Sequence, residues 1–83
     1  MNPPKHTPGP WQALPENTPI RITGAKAEQI AAVYGGFVGE TEQLANGRLV
    51  AAAPVLLEYV SKLAEGGDAQ AQEVMAQVEV APA

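Results

Sequence analysis

The chain has no cysteine, a single histidine and a single tryptophan, and its five basic residues stand one at a time at Lys5, Arg21, Lys26, Arg48 and Lys62. Without cysteine there are no disulfides and no thiolate metal sites, and one histidine would leave a zinc ion to be held mainly by carboxylates. Scattered bases form no stripe that tracks a phosphate backbone, so direct nucleic-acid binding is disfavoured. Long apolar runs are missing as well: the longest is the Leu49 to Leu57 block, far too short for a membrane span, and Met1-Asn2-Pro3-Pro4-Lys5 has none of the apolar stretch of a signal peptide. The expected location is the cytoplasm, with no membrane contact.

What is present is small and mildly acidic. Eighty-three residues with nine acids against five bases give a net charge of −4, which is compatible with a basic protein partner or with mimicry of a polyanion, the latter weakly supported at this charge density. A chain of this length buries only about 60% of its unfolded surface and is marginally stable unless something adds to it. With no disulfide or metal to do so, a homo-oligomer is the expected source of extra stability.

Four of the eight prolines fall within residues 1–10. Proline fixes φ and removes a backbone donor, so this segment reads as an extended arm, with Trp11 as the anchor that pins it to the core or to a neighbouring subunit. Loose alternation at Trp11 to Leu14 and at Thr18 to Thr23, with Ile20 and Ile22 on one face, predicts short strands. Pro15-Glu16-Asn17 and Gly24-Ala25-Lys26 supply the turns, and Gln29 to Tyr34 completes a three-stranded antiparallel meander.

Gly35-Gly36 and Gly39 mark a loop, after which Thr41 is the expected N-cap of a helix starting near Glu42. Leu49, Ala53, Leu56, Val60 and Leu63 recur at helical spacing. Pro54 interrupts that stripe, which predicts one kinked helix or two abutting ones. Gly66-Gly67 ends it, and Asp68 caps a last short helix running to about Gln77. Residues from Val78 onward read as a frayed tail or a docked strand.

The expected fold is therefore α+β: a small antiparallel sheet of two to three strands packed against a kinked helix, with the extended arm before it and the short helix after it. The corresponding divisions are the arm at 1–10, a domain at 11–65, and an appended helix and tail at 66–83. Trp11, Ile20, Ile22, Ile30, Val33, Leu49, Leu56 and Val60 are the expected core, with Leu57 and Leu63 completing it or facing a partner. On that basis Leu56→Ala is expected to cost about 2 to 5 kcal/mol.

Two segments together carry a resemblance: His6-Thr7-Pro8-Gly9-Pro10-Trp11, and the run from Ala45-Asn46-Gly47-Arg48-Leu49 through Ala51-Ala52-Ala53-Pro54 to Leu57-Glu58. The pairing resembles a group of small phage and prophage proteins that open with an HTPGPW box and later carry an ANARLIAAAPELLE-like helical box. It spans His6 to about Leu63 and departs at Gly47, where alanine is usual, and at Val55, where an acid is common. Glycine costs about 1 kcal/mol relative to alanine inside a helix, so the first helix is expected to be weaker here. The resemblance implies a phage accessory role in the host-cell cytoplasm and brings no activity with it.

No constellation points to catalysis. His6 has no orienting carboxylate or nucleophile in a recognisable pattern, and a hydrogen bond from its ring to the arm backbone is the simpler role. Gly35-Gly36-Phe37-Val38-Gly39 lacks the Lys-Ser/Thr of a phosphate loop and reads as a plain connection. Asn46 and Arg48 are the polar positions of the helical box. Arg48 beside Trp11, Tyr34 or Tyr59 would hold a phosphate and stack a base, although an ion pair with Glu42 or Glu58 explains it as well. Ala51, Ala52 and Val55 widen the apolar arc beyond what one core needs and mark a subunit interface.

The leading expectation is a non-enzymatic protein that binds a host or anti-phage defence component, without cofactor or metal. The alternative is an oligomer that sequesters a nucleotide second messenger. Candidate binding residues are Arg48, Trp11, Tyr34, Tyr59, His6 and Asn46.

Overall fold

The computed structural model describes residues 6–16 and 18–79, arranged as three strands followed by three helices. Strands β1 (Gln12–Leu14), β2 (Ile20–Thr23) and β3 (Gln29–Val33) form one antiparallel meander in that order. The expected sheet is present, and the fold is α+β. Met1 to Lys5, the turn residue Asn17, and the tail beyond Glu79 lie outside the described residues.

Period-two alternation places β2. Ile20 and Ile22 point inward and are buried, while Arg21 faces solvent and donates to Gln29 Oε1 at 2.7 Å. Ile22 pairs with Ala31 and Thr23 with Gln29, so Ile30 is an extra residue on β3 and the ladder bulges there. Between β2 and β3 the chain turns through Gly24 to Glu28, closed by Gly24 N–H donating to Glu28 C=O at 2.9 Å. The Glu28 carboxyl is held below its ordinary range by backbone N–H groups of Glu28 itself and of Lys26. A Cβ on Gly24 would come within 2.5 Å of that carboxylate, which the flexible Glu28 side chain would relieve by turning away.

Helix α1 (Glu40–Ala51) lies on the sheet, touching all three strands. It starts earlier than Thr41 would place it. Gly39, extended at φ −77 and ψ 171, is the N-cap without a side-chain hydrogen bond, and its carbonyl accepts from Gln43 N–H at 2.9 Å. Gln43, Leu44, Gly47, Val50 and Ala51 are the buried or half-buried positions of this helix, at spacings of three and four. Gly47 sits at the centre of that face, and a Cβ there would lie 3.2 Å from Ile20 Cγ2. The glycine that weakens α1 as a helix thus lets its backbone settle onto the most buried strand. Gln43 Nε2 adds a 2.9 Å bond to the carbonyl of Val33.

The helical stripe breaks at Ala52, which ends α1 and caps α2 (Ala53–Glu65), with Pro54 in the first turn of the new helix. Two abutting helices is therefore the correct reading. Gly66 and Gly67, the latter at φ +100, close α2, and Asp68 caps α3 (Ala69–Val78) by accepting from Ala71 N–H at 2.9 Å. Val78 is the last residue of α3 rather than the start of a tail. Helix α3 packs back on α2 and buries Ala71, and neither α2 nor α3 touches a strand.

That arrangement corrects the expected core. Ile20 and Ile22 are buried, Trp11, Ile30, Val33 and Val60 are half-buried, but Leu49 is 64% exposed and Leu56 49% exposed. A stripe read straight through the break misplaces both: Leu49 lies off the sheet-facing side of α1, and Leu56 belongs to a helix that has left the sheet. Leu57 is half-buried and Leu63 is 39% exposed.

Ile22→Ala should cost about 2 to 5 kcal/mol in denaturant melts, because Ile22 is wholly enclosed. At Gly47, alanine gains about 1 kcal/mol of helix propensity against a tight approach to Ile20 and should change stability little. Gly47→Leu has no room and should destabilise by about 1 to 3 kcal/mol.

Candidate functional site

Residues 6–11 fold into a compact hook beside α2. Trp11 Nε1 donates to the carbonyl of Thr7 at 3.0 Å, and His6 Nδ1 lies 3.0 Å from the same oxygen. The two rings meet edge to face, with centroids 6.3 Å apart and planes at 88°. The hook is thus tied by a backbone carbonyl four residues before the indole, and the simpler role for His6, a bond from ring to arm backbone, is the one its position provides.

Gly9 carries the hook to the helix. A Cβ at that position would stand 2.8 Å from Pro54 Cβ, closer than two such atoms approach, so the backbone of Gly9 rests directly on the proline ring. At its other end, Thr7 Cγ2 lies near Gly24 in the β2–β3 turn. The arm therefore runs from the sheet turn to the start of α2, and the two sequence boxes, separated by more than thirty residues in the chain, touch through Gly9 and Pro54.

Trp11 does not join Ile20 and Ile22 in the sheet core. It forms one wall of an apolar groove of about 400 Å³ whose other walls are Leu56, Leu57 and Val60 of α2 and Val74 and Val78 of α3. Sequence reasoning missed this groove because it depends on α3 folding back and on the arm reaching α2, neither of which leaves a periodic trace. A second, more polar hollow is lined by Pro8 and Pro10 of the hook and by Val55 and Glu58 of α2.

The other candidate residues are dispersed. Asn46 and Arg48 are exposed on α1, Tyr34 is exposed at the end of β3, and Tyr59 is exposed on α2. Among the described residues the Arg48 side chain makes no ion pair or hydrogen bond, and Glu58, one of its two expected acids, instead pairs with Lys62 at 3.3 Å. No stacking of Arg48 on Trp11, Tyr34 or Tyr59 occurs within the described residues. One protomer brings His6 and Trp11 together and leaves Arg48, Asn46, Tyr34 and Tyr59 apart. Groups of three or more His, Asp or Glu side chains do not gather anywhere among the described residues.

A second feature passed unnoticed in the sequence. Phe37 is fully exposed at the tip of the β3–α1 loop, where Val38 N–H donates to Gly35 C=O at 2.8 Å and Gly36 adopts φ +51. Only its place in a glycine-rich turn hinted at this. The acids Glu40 and Glu42 in the following helical turn set a negative field there, which argues against an anion at this helix start.

A small α+β chain with an arm hooked onto a broken helix, bearing its aromatics on the outside, is the class defined by these features. The chain belongs to the family described as Salmonella phage P22 protein Y8K6, whose model matches residues 1–83. The match thus runs through α3, which the resemblance of the two boxes does not reach. No curated protein and no solved structure matches the chain. No helix of the described residues is long and apolar enough to cross a membrane.

Gly9→Ala should push the hook off Pro54. The single tryptophan reports this directly: its fluorescence should shift to the red, with a loss of about 1 to 3 kcal/mol in thermal or denaturant unfolding, while Lys62→Ala should leave both unchanged.

Proposed function

We propose that this chain is a non-enzymatic phage or prophage accessory protein that acts in the cytoplasm of the infected cell by binding a host or anti-phage defence protein, with the Tyr34–Phe37 loop as its contact. The observation that carries the reading is Phe37, whose whole ring stands in water at the tip of a hydrogen-bonded turn. Burying such a ring in a partner is worth about 1.5 to 3 kcal/mol, and aromatic side chains are enriched at protein interfaces while lysine and glutamate are depleted. Tyr34, exposed three residues earlier, widens the contact and offers a hydroxyl to its rim. Glu40 and Glu42 lie just beyond the loop and favour a partner surface with basic residues around an apolar pocket.

A second reading rests on Arg48, exposed and without an acidic partner among the described residues. In an oligomer, Arg48 of one subunit and Tyr59 or Trp11 of another would hold a phosphate and stack a base, which makes the assembly a sponge for a nucleotide second messenger.

Phe37→Ala removes no internal contact and should shift stability by no more than about 0.5 kcal/mol. Tagged wild-type protein should retain a host polypeptide that the Phe37→Ala protein loses at equal loading; equal retention would exclude the loop as the contact. For the second reading, native mass spectrometry of gently purified protein should carry extra mass of nucleotide size that disappears in Arg48→Ala while the fold persists.

A further inference from the structure

We infer that the α2–α3 hairpin is half of a four-helix bundle, completed by the same hairpin of a second copy of this chain. This concerns a different surface from the Tyr34–Phe37 loop and stands independently of it.

The hairpin is unfinished as it stands. Helices of 13 and 10 residues are at or below the length at which isolated helices are marginal in water, about 12 to 15 residues. Neither touches a strand, and Ala71 is the only buried residue that the two contribute among those described. Meanwhile Leu56, Tyr59, Leu63, Val74 and Val78 remain exposed, between 39% and 64% of each in contact with solvent. The solvated side of α2 is elsewhere: Glu58, Lys62 and Glu65 recur at spacings of four and three, with Glu58 and Lys62 paired on the surface. Leu56, Tyr59 and Leu63 recur at three and four along a separate row, with Tyr59 bordering Lys62.

Area and shape select the occupant. If wholly covered, the exposed apolar residues of the hairpin, 39% to 64% accessible, and the groove beside them would remove at most about 600 Å² per chain, so that a two-fold pair approaches the roughly 1,200 Å² at which specific interfaces begin. The same surface holds both halves of a fit: a groove of about 400 Å³ floored by Leu57 and Val60, and beside it a ridge of Leu56, Tyr59 and Leu63. A two-fold axis places the ridge of each copy in the groove of the other, which is what an isologous contact requires. The face carries no charge of its own. Two chains of like net charge therefore meet there without placing their acids opposite one another, whereas a basic partner finds nothing on it to pair with. Short helices joined by a tight Gly66-Gly67 turn are the usual half of such a bundle.

The absence of native cysteine makes the test direct. The full-length protein is measured by native mass spectrometry and by thermal melts from about 1 to about 200 µM, since the melting temperature of a dimer rises with concentration. Single-cysteine variants Tyr59→Cys, on the ridge, and Lys26→Cys, on the distant β2–β3 turn, are then oxidised mildly. A dimer whose melting temperature rises with concentration, and which crosslinks through Tyr59→Cys but not through Lys26→Cys, is the expected result. A monomer with a concentration-independent melt overturns the inference, as does an assembly that crosslinks equally through both positions or only through Lys26→Cys. A chain that stays monomeric in buffer yet crosslinks through Tyr59→Cys to a host polypeptide in lysate also overturns it, because the face then belongs to a different partner.

Discussion

Pro54 is the constraint from which the rest of the molecule follows. Its nitrogen has no proton to give to the carbonyl of Val50, and its ring crowds the turn before it, so α1 cannot continue through it. Ala52 absorbs the change, ending one helix and opening the next within a single residue. Had the helix run on, its axis would have continued along the sheet. Because it does not, α2 leaves the sheet, α3 returns along α2 instead of along a strand, and the apolar residues of both helices are left without an inner surface to cover them.

The same ring then receives the arm. Gly9 lies against Pro54 with no side chain between them, and the hook behind it is held by the indole and imidazole around the carbonyl of Thr7. The break in the helix and the docking of the arm are thus two uses of one residue. Glycine serves in an analogous way at the sheet, where Gly47 lets α1 approach Ile20. Two close backbone approaches, one on each side of Ala52, do the positioning that larger side chains do in a domain with a thicker core.

Most of the fold was legible because it is local. Alternation at Ile20 and Ile22, the turn residues around them, the glycine pair after Glu65 and the aspartate before Ala69 each act within a few residues, and the strands, the helix break and the α3 cap appear where those signals placed them. What could not be read was phase across the break. Leu49 and Leu56 fall on a single stripe only for an uninterrupted helix, and Gly47 looked like a flaw because its benefit comes from Ile20, more than two turns of sequence and a strand away. Thr41 lost the N-cap role to Gly39 since the loop brings the chain into the helix two residues earlier. Of the candidate site, only the pairing of His6 with Trp11 lies within one short segment. The groove needs three segments at once, and Phe37, a lone aromatic among glycines, has no period to announce it.

The contact between Gly9 and Pro54 also makes the chain into a ring. Its closure encircles the whole sheet and α1, and it joins residues far more distant in sequence than any strand pair of the meander. Closing a loop of that length costs conformational entropy that grows as the logarithm of its length, whereas neighbouring strands meet cheaply. The strand pairs therefore close more cheaply than the hook, which lies as a latch across the sheet and α1. Releasing that latch would take away the wall that Trp11 gives the groove.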